Sequence, residues 1–155
     1  MPRCLQKANR AALAALVILS FFTFAGANGD QLFRHANVVI QTDAGPARLD
    51  VEVADNERTR EQGLMFRREL GAGQGMIFLF GTEQEITMWM KNTYISLDMV
   101  FIGDDWRIVH IAKNAEPFST DVISSIRPAS RVIEIAAGQA DKLGLKAGDK
   151  VSLNE

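Results

Sequence analysis

Few residues in this chain have a type and spacing that could do chemistry together. Lys91, Asn92 and Thr93 come just after Trp89, and six residues separate Lys91 from Asp98. On a strand from Ile86 to Lys91, period two sends Ile86, Met88 and Met90 to one face and Thr87, Trp89 and Lys91 to the other. If the strand that starts at Leu97 folds back beside it, Lys91 and Asp98 lie opposite each other across a hairpin, with Asn92 and Thr93 supplying hydrogen bonds in the loop. Such a cluster is expected to form a polar pocket floored by Trp89, in which Lys91 binds an anionic group and Asp98 orients the lysine or acts as a base. The plainer account of the same residues is a satisfied Lys–Asp pair and an asparagine that ties down a loop. Arg67, which follows a short helix, and Glu134, which a strand directs away from Ile133 and Ile135, are further candidates for a cleft. A buried pair is the simpler expectation for Glu134, because an unpaired buried charge is costly.

Other chemistries find less support. The methionines beyond the leading segment, Met65, Met76, Met88, Met90 and Met99, raise copper handling, since thioethers are soft ligands for Cu(I). Each sits in an apolar run where methionine serves as flexible core filler, and neither His35 nor His110 is near them in sequence. With only those two histidines no zinc spacing is present, and no metal or other cofactor is implied. Ser119, Ser124 and Ser125 lack a nucleophile-elbow context. The glycines at 71, 73 and 75 precede a strand, the reverse of what phosphate binding at a helix N-terminus needs.

The elements that must position these residues read as mostly β. Val38–Ile40 and the alternating Leu49, Val51 and Val53 form a hairpin around Asp43–Pro46. Asp55 or Asn56 can cap a short helix through Glu57, Arg60 and Leu64, with Gly63 near its end. Met76–Phe80 is an apolar strand that must be covered on both faces. Strands at Ile86–Lys91, Leu97–Ile102 and Trp106–Ala112 read as a meander, the last pair joined at Gly103–Asp105. An irregular stretch holding Pro117 and Pro128 precedes a strand at Arg131–Ile135, a short helix at Gln139–Leu143 closed by Gly144, and a last strand at Lys150–Leu153. The pattern predicts a β-rich α+β fold: a small antiparallel sandwich or partly closed barrel with two short helices.

Taken in order, Gly63–Arg67, Gly75–Phe78, Met88–Thr93, Leu97–Phe101 and Pro128–Ala129 follow a known pattern, with the Met-Trp-Met-Lys-Asn-Thr segment its most specific part. The chain resembles the family called domain of unknown function 192 (DUF192) from about Val51 to Val151. The resemblance implies a compact β-rich fold, often exported and often a stand-alone domain, with no assigned activity or ligand. Where such proteins commonly carry proline before the Leu-Asp pair, this chain has Ser96.

The first 27 residues have the order of a secretory signal: basic Arg3, Lys7 and Arg10, the apolar run Ala11–Phe24, then Ala25–Gly26–Ala27. That run is shorter than the ~20 residues a membrane-spanning helix needs, so cleavage after Ala27 is expected. Cys4 leaves with it, and what remains has no cysteine. Of 17 basic residues the segment takes three and of 19 acidic residues none, so the remaining domain is acidic by about five charges. Its basic residues are scattered, which argues against nucleic-acid binding. The expected organisation is a signal at 1–27, a flexible lead-in at 28–36 and one domain at 37–155, with no membrane span after cleavage. The function expected is that of an exported, periplasmic accessory domain that binds a small molecule or a protein partner through Trp89, Lys91, Asn92, Thr93, Asp98, Arg67 and Glu134. The alternative is a small hydrolase- or lyase-like enzyme using Asp98 with Lys91; copper handling stands third.

Overall fold

The first two strands are paired by their own alternation: β1 (Arg34–Thr42) and β2 (Gly45–Ala54) run antiparallel in register from Arg34 opposite Val53 to Thr42 opposite Gly45. The computed structural model describes residues 33–154; the expected signal and residues 28–32 of the lead-in lie outside them. Strand β1 begins at Arg34, so it takes in the last three residues of that lead-in.

Helix α1 (Glu57–Gln62) follows β2. Asn56 caps it reciprocally: the Thr59 backbone N–H donates to Asn56 Oδ1 at 3.1 Å and the Asn56 N–H donates to Thr59 Oγ1 at 3.1 Å. Gly63, at φ 45°, ends the helix. A Cβ there would lie 3.2 Å from the Phe78 ring, so glycine serves both the turn and the close approach to β3.

Strand β3 (Gln74–Met88) is one long element, where the sequence suggests separate strands at 76–80 and 86–91. It runs parallel to β2 as far as Ala54 opposite Phe78 and antiparallel to β6 (Ile123–Ala136), with two irregularities in the ladder. The whole of 123–130, expected to be irregular, is strand. Pro128 is accommodated opposite Glu85, beside one of those irregularities, where a missing N–H does least harm. Strand β4 (Leu97–Ile102) pairs with β5 (Ile108–Ala115) on one side and β6 on the other. Helix α2 (Gln139–Lys142) and β7 (Lys150–Asn154) complete the chain.

The result is a single seven-stranded sheet, ordered β5-β4-β6-β3-β2-β1-β7. Only β2 with β3 is parallel. The outer edges meet at one bridge, Arg107 to Lys150, and the sheet is not closed. The expected β-rich fold with two short helices is present among the described residues, and three details of it are corrected. The sheet is mixed and not wholly antiparallel, it is one sheet and not a sandwich, and there is no meander through β3 and β4, because β6 lies between them. Adjacent apolar strands carry no signal for this interposition; it rests on a pairing between residues 35 to 60 positions apart, from Met88 opposite Ile123 to Gly75 opposite Ile135.

Both faces are buried, as the unbroken apolar run of β3 demands. One face packs Val38, Val51, Ile77, Val100 and Ile133 inside the curl of the sheet. The other packs Phe33, Leu64, Met76, Phe78, Met99 and Val132 beneath α1 and the loops around it.

Candidate functional site

The candidate site lies where two paired strands part. Strand β2 leaves the sheet after Ala54 and turns into α1, whereas β3 continues to Met88. Between Arg60–Met65 on one side and the second half of β3 on the other lies a cavity of about 660 Å3. That volume falls within the ~300–1,000 Å3 of small-molecule sites. Its buried lining includes Leu64, Phe78, Thr93 and Glu134, and its outer wall includes Phe80, Met88 and Trp89.

Trp89, expected as a floor, is a wall with 52% of its surface exposed. The alternation expected for 86–91 is present: Ile86 and Met90 are buried and Met88 is half-buried, while Thr87, Trp89 and Lys91 are exposed. The strand itself stops at Met88. A turn then carries Lys91 with its ammonium 5.2 Å from the Trp89 ring centroid. The Thr93 N–H donates to the Met90 carbonyl at 3.1 Å, and its hydroxyl donates to the Lys91 carbonyl at 3.3 Å. Asn92 adopts the left-handed backbone (φ 56°) that asparagine tolerates best after glycine, and its carbonyl accepts the Phe66 N–H at 2.8 Å. The turn is thereby fastened to the segment after α1. Asn92 orients the rim and does not line the cavity.

Asp98 is not part of this site. It is fully buried on β4 opposite Ile135, and cross-strand partners share a face, so it belongs with Val100, Ile133 and Ile135. Its Oδ1 accepts the Asn114 N–H at 2.9 Å and its Oδ2 accepts the Ala140 N–H at 2.9 Å. The carboxylate ties the end of β5, where Asn114 has φ 55°, and the first turn of α2 to β4. The expected Lys91–Asp98 hairpin fails because β4 pairs with β5 and β6, never with β3. Arg67 lies outside the cavity too, in an ion pair with Glu52, whose other neighbour is the His35 ring at 3.9 Å.

Glu134 is the group the geometry singles out. It sits opposite Met76 on β3 and Met99 on β4, both fully buried, with only 4% of its own surface exposed. Among the described residues no ion pair or hydrogen bond engages its carboxyl, whose oxygens are not sealed in the core but open onto the cavity. The buried pair expected from the sequence is absent. Burial raises its pKa from the ordinary carboxylate value to about 8, so the acid is largely protonated at neutral pH and offers an uncommitted O–H and C=O.

Sequence reasoning missed Arg60. It lines the same cavity, donates Nη1 to the Leu79 carbonyl at 3.0 Å, and lies 5.7 Å from the Phe80 ring centroid. Its place four residues before Leu64, on the helix face that turns inward, was the available signal. The methionines divide: Met76, Met90 and Met99 are core, whereas Met65 and Met88 reach the cavity. Among the described residues no group of three His, Cys, Asp or Glu could hold a metal ion, and no helix is long and apolar enough to cross a membrane.

Fold and site together define a single-sheet β-rich domain with a small-molecule-sized cavity at the point where one strand departs. The chain belongs to the DUF192 family, described as "Uncharacterized ACR, COG1430", whose model matches residues 38–153. Among solved structures it is similar to a Sinorhizobium meliloti 1021 protein provisionally designated a transcription regulator. The two are 41% identical with TM-score 0.75, over 78% of this chain and 95% of that one. A protein of unknown function from Novosphingobium aromaticivorans DSM 12444 is 37% identical with TM-score 0.77, over 81% of this chain and 90% of that one. No curated protein matches.

Proposed function

We propose that this protein is an exported accessory domain that binds a small, largely apolar molecule in the cavity between α1 and β3. The observation that carries this reading is the Glu134 carboxyl: on a residue 4% exposed, opening onto a cavity of about 660 Å3, with no hydrogen-bond or ion-pair partner among the described residues. Its oxygens open onto the cavity, so a ligand that fills the cavity cuts them off from water at a cost of roughly 1–3 kcal/mol unless it brings a polar group to meet them. Apolar walls from Leu64, Phe78, Phe80 and Met88 supply the driving force for the body of the ligand. Export is supported by the basic, apolar and small-residue order of residues 1–27.

A thermal-shift screen of the purified protein tests the reading, since any ligand that prefers the native state raises its apparent stability by mass action. Hits are expected to be small and mostly apolar, and to lose their effect in Thr87→Trp, which fills the cavity from an exposed position. Hits that act equally on Thr87→Trp, or a screen without hits, would reject the cavity as the site. A catalytic role is the second reading, favoured by an acid poised to exchange its proton near neutral pH. It centres on Glu134, because Asp98 and Lys91 do not meet.

A further inference from the structure

The cavity has a charge pattern as well as a shape. Four ionisable residues line it: Arg60 and Glu61 from α1, Lys91 from the turn after β3, and Glu134 from β6. Both cations rest on aromatic rings, Arg60 by Phe80 at 5.7 Å and Lys91 by Trp89 at 5.2 Å. Among the described residues neither is in an ion pair, although Glu61 lines the same space. Lys91, Trp89 and Glu61 are exposed, Arg60 is half-buried and Glu134 is buried, so the two cations, with Glu61 beside them, lie towards the outer part of the cavity and Glu134 at its inner part. Nothing charged on the neighbouring strands compensates Glu134: it faces Met76 on β3 and Met99 on β4, and Glu52 on β2 is held by Arg67 and His35.

From this arrangement we infer that the ligand is an amphipathic organic anion, its carboxylate-like group held by Arg60 and Lys91 at the mouth, its apolar body against Phe78 and Phe80, and an uncharged hydroxyl or carbonyl against Glu134. The inference rests on the cavity being the binding site and adds the class of ligand. A guanidinium fork and an ammonium on neighbouring elements, both free of carboxylates, suit an oxyanion, and a charge-assisted hydrogen bond is about twice as strong as a neutral one. A cationic ligand meets the opposite conditions. It passes two like charges, and because Glu134 must first lose its proton, each pH unit below about 8 costs it close to tenfold in affinity.

Three probes of equal chain length separate the possibilities: decanoate, decan-1-ol and decylammonium, titrated calorimetrically into the protein near neutral pH and at low salt. All three fill the apolar walls, so decanol reports the cavity alone. Decanoate is expected to bind about tenfold tighter than decanol, and decylammonium more weakly than either. Lys91→Gln and Arg60→Gln should each weaken decanoate about three- to tenfold while leaving decanol within about twofold. Lys91, whose side chain makes no hydrogen bond among the described residues, is the variant least able to disturb folding, and equal melting temperatures check both. Decylammonium binding as tightly as decanoate, or decanoate affinity unmoved in both variants, overturns the anion inference while leaving the cavity in place. Failure of all three probes to bind overturns the binding reading together with it.

Discussion

Two buried carboxyls on adjacent strands, one residue apart in register, have opposite fates. Asp98 on β4 pairs with Ile135, and Glu134 on β6 pairs with Met99, so the two side chains leave the sheet on opposite faces. Asp98 finds two backbone N–H donors at 2.9 Å each and closes a junction between β5, α2 and β4. Glu134 finds none among the described residues, and its oxygens open onto a cavity. Equal burial therefore means different things: a satisfied acid is architecture, and one without a protein partner beside empty space is a candidate site. The difference comes from what covers each face. Over Asp98 the chain brings the first turn of α2, whose free N–H groups suit a carboxylate. Over Glu134 it brings the apolar Leu64 and Phe78.

The comparison can be broken by mutation, and the largest effect is expected at Asp98. Asp98→Ala leaves two N–H groups unpaired and should lower the unfolding free energy by about 3–5 kcal/mol in urea titrations. The affinity of the folded protein for decanol should not change. At Glu134 the sign is reversed. Its folded pKa of about 8 exceeds the value of about 4.5 for the unfolded chain, so the folded state holds the proton more tightly. Its contribution is full below pH ~4.5 and is lost progressively as pH rises through about 8, with about 5 kcal/mol as the ceiling the two pKa values set. Glu134→Gln should remove that slope, making the variant more stable than the wild type in alkaline solution; parallel pH profiles of the two would contradict it. Next comes Asn56→Ala. Loss of the reciprocal cap should cost about 1 kcal/mol and, by loosening α1, weaken decanol binding on the Glu134 face. The smallest effect belongs to Lys91→Gln, an exposed position, with stability unchanged to within about 0.5 kcal/mol by thermal melting.

Local elements were legible because local rules make them. Asn56 and Gly63 announce α1, Asp43 to Pro46 announce the first hairpin, and the run Met76–Phe80 announces a strand covered on both sides. The pairing of β3 with β6 was hidden because it joins segments far apart in sequence, and the serines and Pro128 of 123–130 look unlike strand. That one missed pairing decided the site. Had β3 and β4 been neighbours, Lys91 and Asp98 could have met; with β6 between them, Lys91 shares a cavity with Glu134 instead. Period two correctly turned Glu134 away from Ile133 and Ile135. Nothing in the sequence says whether a partner waits there. Trp89, Lys91, Thr93 and Glu134 do come together, Asn92 fastens the rim, and Arg67 is committed to Glu52.

The most direct measurement is the titration of the Glu134 carboxyl carbon by NMR in protein carrying 13C-labelled glutamate, with Glu134→Gln assigning the signal, in the absence and presence of decanol. An uncommitted acid at the inner end of a ligand cavity should titrate with a midpoint near 8, and the bound hydroxyl should move that midpoint further upward. A midpoint in the ordinary carboxylate range, unmoved by the alcohol, would mean that water or a partner already serves Glu134 and would contradict the account.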